Sequence, residues 1–243
     1  GYSLTVQGEQ LMATAEAMES LSLTAQESIG ETDLSVAGAV RIGAPEGFGS
    51  YFLAPRLGTL CERHPELELQ LVAITGAFSL SKREADLAIT LSPPREGRLT
   101  ARKLSDYRLG LYASHEYLAA ARPIRERADL PGHRFIGYIE DLLHSEELDY
   151  LRHGETMVEA QIKSSNLIAQ LRATIAGAGL CVLPHFIARA KRSLAQVLSD
   201  EIELTRTFWL VTHADLRNLA RIRVTTDFIV EEVKAARGDF LGA

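Results

Sequence analysis

The stretch AVRIGAPEGFGSYFLAPRLGTLCERHPELELQLVAI, residues 39–74, decides the fold. Ala39–Ala44 is short, mostly apolar and reads as a buried strand. Gly47–Gly49 reads as a glycine-containing turn. Tyr51–His64 then reads as a helix with Phe52, Leu53, Leu57 and Leu60 on one face, Pro55 in its first turns, and a stop at His64-Pro65-Glu66. Leu67–Ile74 alternates at period two, as a strand with two unlike faces does. Strand, helix, strand in this order implies parallel pairing.

The same texture continues outward. Phe78–Arg83 reads as a short helix, Asp86–Leu91 as a strand and Ser92–Thr100 as a surface loop. Leu109–Ala113 is a strand leading into a helix at His115–Ala121, and Arg134–Tyr138 and Val158–Lys163 are strands. Ser164-Ser165-Asn166 is a cap signal for a helix over Leu167–Ala176. Gly177 and Gly179 break that helix before the strand Leu180–Leu183. Phe208–Thr212 is a strand, and Leu219–Ala236 an amphipathic helix that returns to the first half. So many short strands exceed one small sheet, and two α/β lobes crossed twice by the chain fit better. The crossings are expected near Tyr112–Ser114 and Val211–Ala214. Lobe I is then 38–112 with 214–243, and lobe II is 113–213. No internal repeat is visible.

Ahead of this lies a different segment, 1–32. Leu4, Leu11, Met18 and Ala25 recur every seven residues, and Ala15, Leu21 and Ile29 fall beside them. This predicts one helix of about 25 residues whose narrow apolar stripe suits a second copy better than its own core. Packing on its own core is the alternative.

The chain has 243 residues and a net charge of −6, with 46% hydrophobic residues, a composition unlike that of a disordered chain. With no basic stripe, it is a poor DNA binder by itself. It holds no run of about 18 apolar residues, which argues against a membrane helix, and no signal peptide is visible at its start. Cys61 and Cys181 are its two cysteines, read as buried core thiols in a reducing cytoplasm. None of the seven histidines stands in metal-ligand spacing, so no metal is expected. There is no nucleophile elbow, nucleotide loop or other cofactor motif, and carboxylate pairs such as Glu146-Glu147 are adjacent on a helix and face apart. No enzyme is expected, and no cofactor. What remains is a ligand cleft. Pro45–Ser50, Thr75-Gly76 and Ser164–Asn166 each follow a strand with small or polar residues that can serve either as helix caps or as backbone donors to a ligand.

These residues resemble the regulatory part of LysR-type transcriptional regulators. The likeness is carried by LTVQGE at 4–9, GAVRIGAP at 38–45, FLAPRL at 52–57, HPELEL at 64–69, EADLAI at 84–89, ASHEYL at 113–118 and AGAGLCVLP at 176–184, in order and at matching spacing. It implies two Rossmann-like lobes joined by two crossover strands, similar to type 2 periplasmic binding proteins, preceded by a long linker helix. It also implies a small-molecule effector, self-association as a homodimer or homotetramer through Leu4, Leu11, Met18, Leu21 and Ala25, and contact with DNA only through an N-terminal domain outside this chain. By position, the effector residues are Glu46, Gly47, Phe48, Ser50, Thr75, Ser114, Tyr138, Ser164, Ser165, Asn166 and His213. One departure stands out: Glu46 lies where many members carry Ser or Thr, and a carboxylate there opposes an acidic effector. Another is His115, where relatives often have Pro. Two rival readings remain open: a transport solute-binding protein of the same fold, and a two-lobed enzyme.

Overall fold

The computed structural model describes residues 36–74, 85–94, 98–143, 145–151 and 158–242, with Thr5, Gln7, Gly8, Leu11, Ala15 and Met18 ahead of them. Strand β1 is Gly38–Pro45, with Val40, Ile42 and Ala44 turned into the core at period two. The chain then turns at once into helix α1, Glu46–Phe48, a π-helical stretch Gly49–Leu53, a 3₁₀ turn Ala54–Arg56 and helix α2, Leu57–Arg63. The helix thus starts five residues earlier than the expected Tyr51, and Gly47–Gly49 is its first turn rather than a loop. Its glycines are there for close packing: a Cβ on Gly49 would stand 3.0 Å from the Ala73 Cβ. Pro55 brings no N–H, so the ladder loosens to π and tightens to 3₁₀ around it. The Arg56 guanidinium donates to the Phe52 carbonyl at 2.7 Å.

Strand β2, Leu67–Ile74, pairs parallel with β1, and β3, Leu87–Thr90, pairs parallel on its other side. The expected helix at Phe78–Arg83 lies outside the described residues. Strand β4 runs sixteen residues, Leu99–Ser114, into helix α3, His115–Ala120. Then come β5 (Phe135–Gly137), β6 (Ile162–Lys163), helix α4 (Leu167–Ile175), β7 (Leu180–Pro184), helix α5 (His185–Ala188) and β8 (Leu194–Val197). Strand β9, Glu203–His213, leads to helices α6, Ala220–Ala235, and α7, Arg237–Leu241. Strand β6 is shorter than the expected Val158–Lys163 because the Gln161 side chain, in place of a backbone carbonyl, accepts the Phe135 N–H at 2.8 Å.

The strands form a path β2-β1-β3-β9-β4-β7-β5-β6, with β8 also on β4. Its outer thirds are parallel, and its middle is the antiparallel pair β4/β9, matched from Leu99↔His213 to Gly110↔Glu203. Along β9, Trp209–Thr212 pairs with β3 of the first group, while along β4, Leu109–Tyr112 pairs with β7 of the second. The changeover therefore falls inside this ribbon, beside a register shift between Lys103 and Ser105, and not at Tyr112–Ser114 and Val211–Ala214. Those expected junctions were misplaced because Thr100–Lys103 of β4 and Thr205–Thr207 of β9 are mostly polar and carry no hydrophobic alternation. Side chains add to the ribbon's backbone ladder. Thr207 Oγ1 donates to Asp106 at 2.6 Å, and Lys103 Nζ stands 2.7 Å from the same carboxylate. These bonds, that from Lys103 first, hold the Asp106 carboxyl below its usual range.

Helix α6 packs on β1 and β4, while α7 reaches across to α5. Phe240 of α7 is fully buried, its ring 4.8 Å from Phe52 and 5.0 Å from Phe186. In the N-terminal segment Gln7, Gly8, Leu11, Ala15 and Met18 are helical, and Leu11 and Met18 are exposed at 70% and 67%. Leu4, Leu21 and Ala25 lie outside the described residues. Replacing Phe240 with Ala will open a cavity at the meeting point of both halves. The expected loss is about 3–5 kcal/mol of unfolding free energy, read as a lower urea midpoint at unchanged slope.

Candidate ligand cleft

Helix α1 sits at the carboxyl end of β1, and helix α4 starts at the carboxyl end of β6. The two helices face each other. Gly47 makes their approach possible: a Cβ there would stand 2.6 Å from Leu167 Cδ2 and 3.0 Å from Ile187 Cδ1. Asn166 caps α4 conventionally, its Oδ1 accepting the Ala169 N–H at 2.7 Å. Its Nδ2 reaches the other way and donates to Glu46 Oε1 at 2.5 Å. The Leu167 N–H donates to Glu46 Oε2 at 3.1 Å. One half-buried carboxylate thus spans the two halves and satisfies a helix N-terminus, where unpaired N–H groups and the dipole favour negative charge.

Behind this contact lies a cavity of ≈ 40 Å³. Glu46, Gly47, Phe48 and Leu91 line it from one side, Tyr138, Tyr150, Ser165 and Phe186 from the other, and Tyr107 and Phe208 from the ribbon. The Tyr107 and Phe208 rings stack at 4.1 Å, and Phe48 meets Phe208 edge-on at 4.9 Å. At roughly 10–15 Å³ per water, the space holds a few waters. Burial pushes the Tyr107 and Tyr138 phenols well above their ordinary range and Tyr150 up to about 12. They stay neutral, and Glu46 is the one acidic or basic side chain among the described lining residues. Tyr138 and Tyr150 also border a second cavity of ≈ 280 Å³, lined by Glu140, Asp149, Glu159 and Lys163. There Lys163 is paired with Glu140 at 3.2 Å.

The expected site residues divide accordingly. Glu46, Gly47, Phe48, Tyr138 and Ser165 line the cleft, and Asn166 is bonded across it. Ser164 stands one layer back, its Oγ accepting the Asn166 N–H at 3.1 Å. Ser50 lies on the π-helical stretch, outside the lining. Ser114 is buried as the cap of α3, accepting the Tyr117 N–H, and His213 turns to Asp215, so neither reaches the cleft. Both were expected at crossings that the structure puts elsewhere. Thr75 lies outside the described residues. Sequence reading missed Leu91, Tyr107, Tyr150, Phe186 and Phe208. Apolar residues near strand ends look the same whether they face a core or a cleft, so no local signal marks them.

Other reactive groups are inert or isolated. Cys181 is buried and its thiol is raised to about 12 by desolvation, while Cys61 is half-buried. Among the described residues, no cluster could hold a metal ion, and no helix is long and apolar enough to cross a membrane.

Two α/β lobes on a shared ribbon, closing on an aromatic cleft, define a two-lobed receptor of the type 2 periplasmic-binding-protein-like fold. A family model described as LysR substrate binding domain matches residues 35–234, and the chain belongs to that family. Over 236 residues it is 26% identical to the HTH-type transcriptional regulator CrgA of Neisseria meningitidis, covering 95% of this chain and 79% of CrgA. The regulator PtxR of Pseudomonas aeruginosa is 26% identical over 76% of this chain and 60% of PtxR. Among solved structures, the CrgA regulatory domain superposes with a TM-score of 0.74 at 26% identity, over 82% of this chain and all of that one. The effector domain of AmpR of Pseudomonas aeruginosa shares the fold, with a TM-score of 0.67 at 20% identity over 82% of this chain and 98% of that one.

Two outcomes follow. Gly47→Ala will force Leu167 and Ile187 to shift, costing about 1–3 kcal/mol of stability by denaturant titration. His185, fully buried, has its Nδ1 2.7 Å from the Tyr112 hydroxyl and its Nε2 3.6 Å from Glu203, and burial first, then Arg189 and Arg108, lower its pKa. His133 is lowered by burial and Arg122. Both are held neutral in the fold, while the unfolded chain gains protons below about pH 6.5. Stability is therefore full above that pH and falls as pH drops below about 6.5. His133→Gln and His185→Gln will each flatten that slope in equilibrium unfolding.

Proposed function

We propose that this chain is the ligand-sensing part of a LysR-type transcriptional regulator and takes a small-molecule effector into the cleft between its lobes. The observation that carries the reading is the aromatic cavity bridged by Glu46 and Asn166, placed where two lobes and their ribbon meet. The effector contacts are Glu46, Phe48, Tyr138 and Ser165 with Tyr107 and Phe208. The lobes part within the β4/β9 ribbon, so the first holds β1–β3 with the end of β9, and the second holds β5–β8 with the end of β4. At ≈ 40 Å³ the cavity must widen to admit an organic molecule. Binding then shifts the balance between two lobe separations, by as much as the ligand prefers one of them.

That change passes along the helix of 1–32 to a partner copy. In support, Leu11 and Met18 lie seven positions apart and are both exposed in a single chain. The acidic balance of −6 fits a sensor that leaves DNA to a helix-turn-helix domain, as named in the relatives, and so works in the cytoplasm. No catalytic role is assigned.

A metabolite panel screened by thermal shift tests the reading. A ligand at a hundred times its Kd adds about 2.7 kcal/mol to folding, a rise of several degrees in Tm. Ser165→Phe, which fills the cavity, will abolish that rise, while Ser114→Ala will leave it. A ligand indifferent to Ser165→Phe places the site elsewhere. Leu11→Glu with Met18→Glu will shift the sedimentation coefficient toward the monomer.

A further inference from the structure

The cleft of an effector domain has to match the charge of what enters it. Here two donors at the start of α4 that an acid would seek are already taken. The Leu167 N–H and Asn166 Nδ2 at the start of α4 both point at Glu46, at 3.1 and 2.5 Å. No Lys, Arg or His is among the described lining residues of the cleft. Among the described lining residues of the adjoining ≈ 280 Å³ cavity, three carboxylates outnumber the one ammonium, that of Lys163, which Glu140 already pairs. An entering carboxylate would meet Glu46 at close range in a water-poor space, with its helix seat filled. An entering ammonium would meet the opposite. Parting the lobes breaks the bond from Asn166 and frees Oε1, and a ligand N–H can replace it with a charge-assisted one. The ring faces of Tyr107, Phe48 and Phe208 favour a cation over an anion as well.

Resting on the cleft reading above, we propose that Glu46 is a resident occupant of the anion seat at α4, and that the cleft accordingly selects an organic cation, an amine on an apolar or aromatic body, and rejects acids. The carboxylate latches the lobes while the cleft is empty and becomes the ligand's counter-ion when it opens.

Three probes of one shape and different charge test this by calorimetry at pH 7: benzylamine, benzyl alcohol and benzoate. Benzylamine is expected to bind at least roughly tenfold more tightly than benzoate, with the alcohol between. In Glu46→Gln, which keeps the size and a hydrogen-bonding end, that preference will shrink to within about threefold. The ranking in the unaltered chain needs no variant and stands even if Glu46→Gln does not fold. Benzoate binding as tightly as benzylamine overturns the inference, as does a preference that survives Glu46→Gln, or silence from all three probes. Ser165→Phe separates this failure from that of the parent reading. If benzoate wins and Ser165→Phe abolishes it, the cleft stands and the charge assignment falls. If every probe ignores Ser165→Phe, the cleft itself is misassigned.

Discussion

The pairing of β4 with β9 is the constraint on which the rest of the molecule depends. Two strands, crossing from one half to the other side by side, make a single ribbon out of both connections. Parallel strands on either side are thereby tied to one axis. Tyr107 and Phe208 project from this ribbon into the cleft, so the connection between lobes is also the cleft's floor. A change in lobe separation must be absorbed where the ladder is already irregular, between Lys103 and Ser105. Asp106, bonded to Lys103 and Thr207, ties the two strands beside that irregularity.

Closure above the floor is a matter of reach. Gly47 lets α1 touch Leu167, and only at that distance can Glu46 meet both Asn166 and the first N–H of α4. Small side chain and acidic side chain are adjacent in the chain and act as one device. The first removes bulk and the second supplies the bond. The aromatic rings behind them add contact area and edge-to-face attraction, and Phe240 extends that packing to the end of α7.

How much of this could be read from residues alone follows a physical line. Elements with one buried face declared themselves, and β1, β2, β7, α4 and α6 lie within a residue or two of where periodicity put them. The ribbon did not. Arg102, Lys103, Thr205 and Arg206 alternate no hydrophobic pattern, and their pairing partners lie about a hundred positions away. The early part of β4 therefore looked like loop, and the crossings were misplaced. Of the site, Glu46 was visible as an anomaly and Asn166 as a cap, but the bond between them joins positions 120 apart and belongs to the fold. Ser114 and His213 followed the misplaced crossings. The rings of Tyr107, Tyr150, Phe186 and Phe208 passed as core because burial in a core and enclosure in a cleft demand the same side chains.

The ribbon also has a consequence for biosynthesis. Thr100 and Thr212 bond to each other across 112 positions, and β3 has no neighbour on that side until Trp209–Thr212 arrives. A ribosome will have released β1, β2 and β3 long before their last strand exists. The nascent first lobe waits with an open sheet edge, a state prone to mispairing. Folding must therefore be completed late, by closing a very large loop, an order set by the arrangement of the strands.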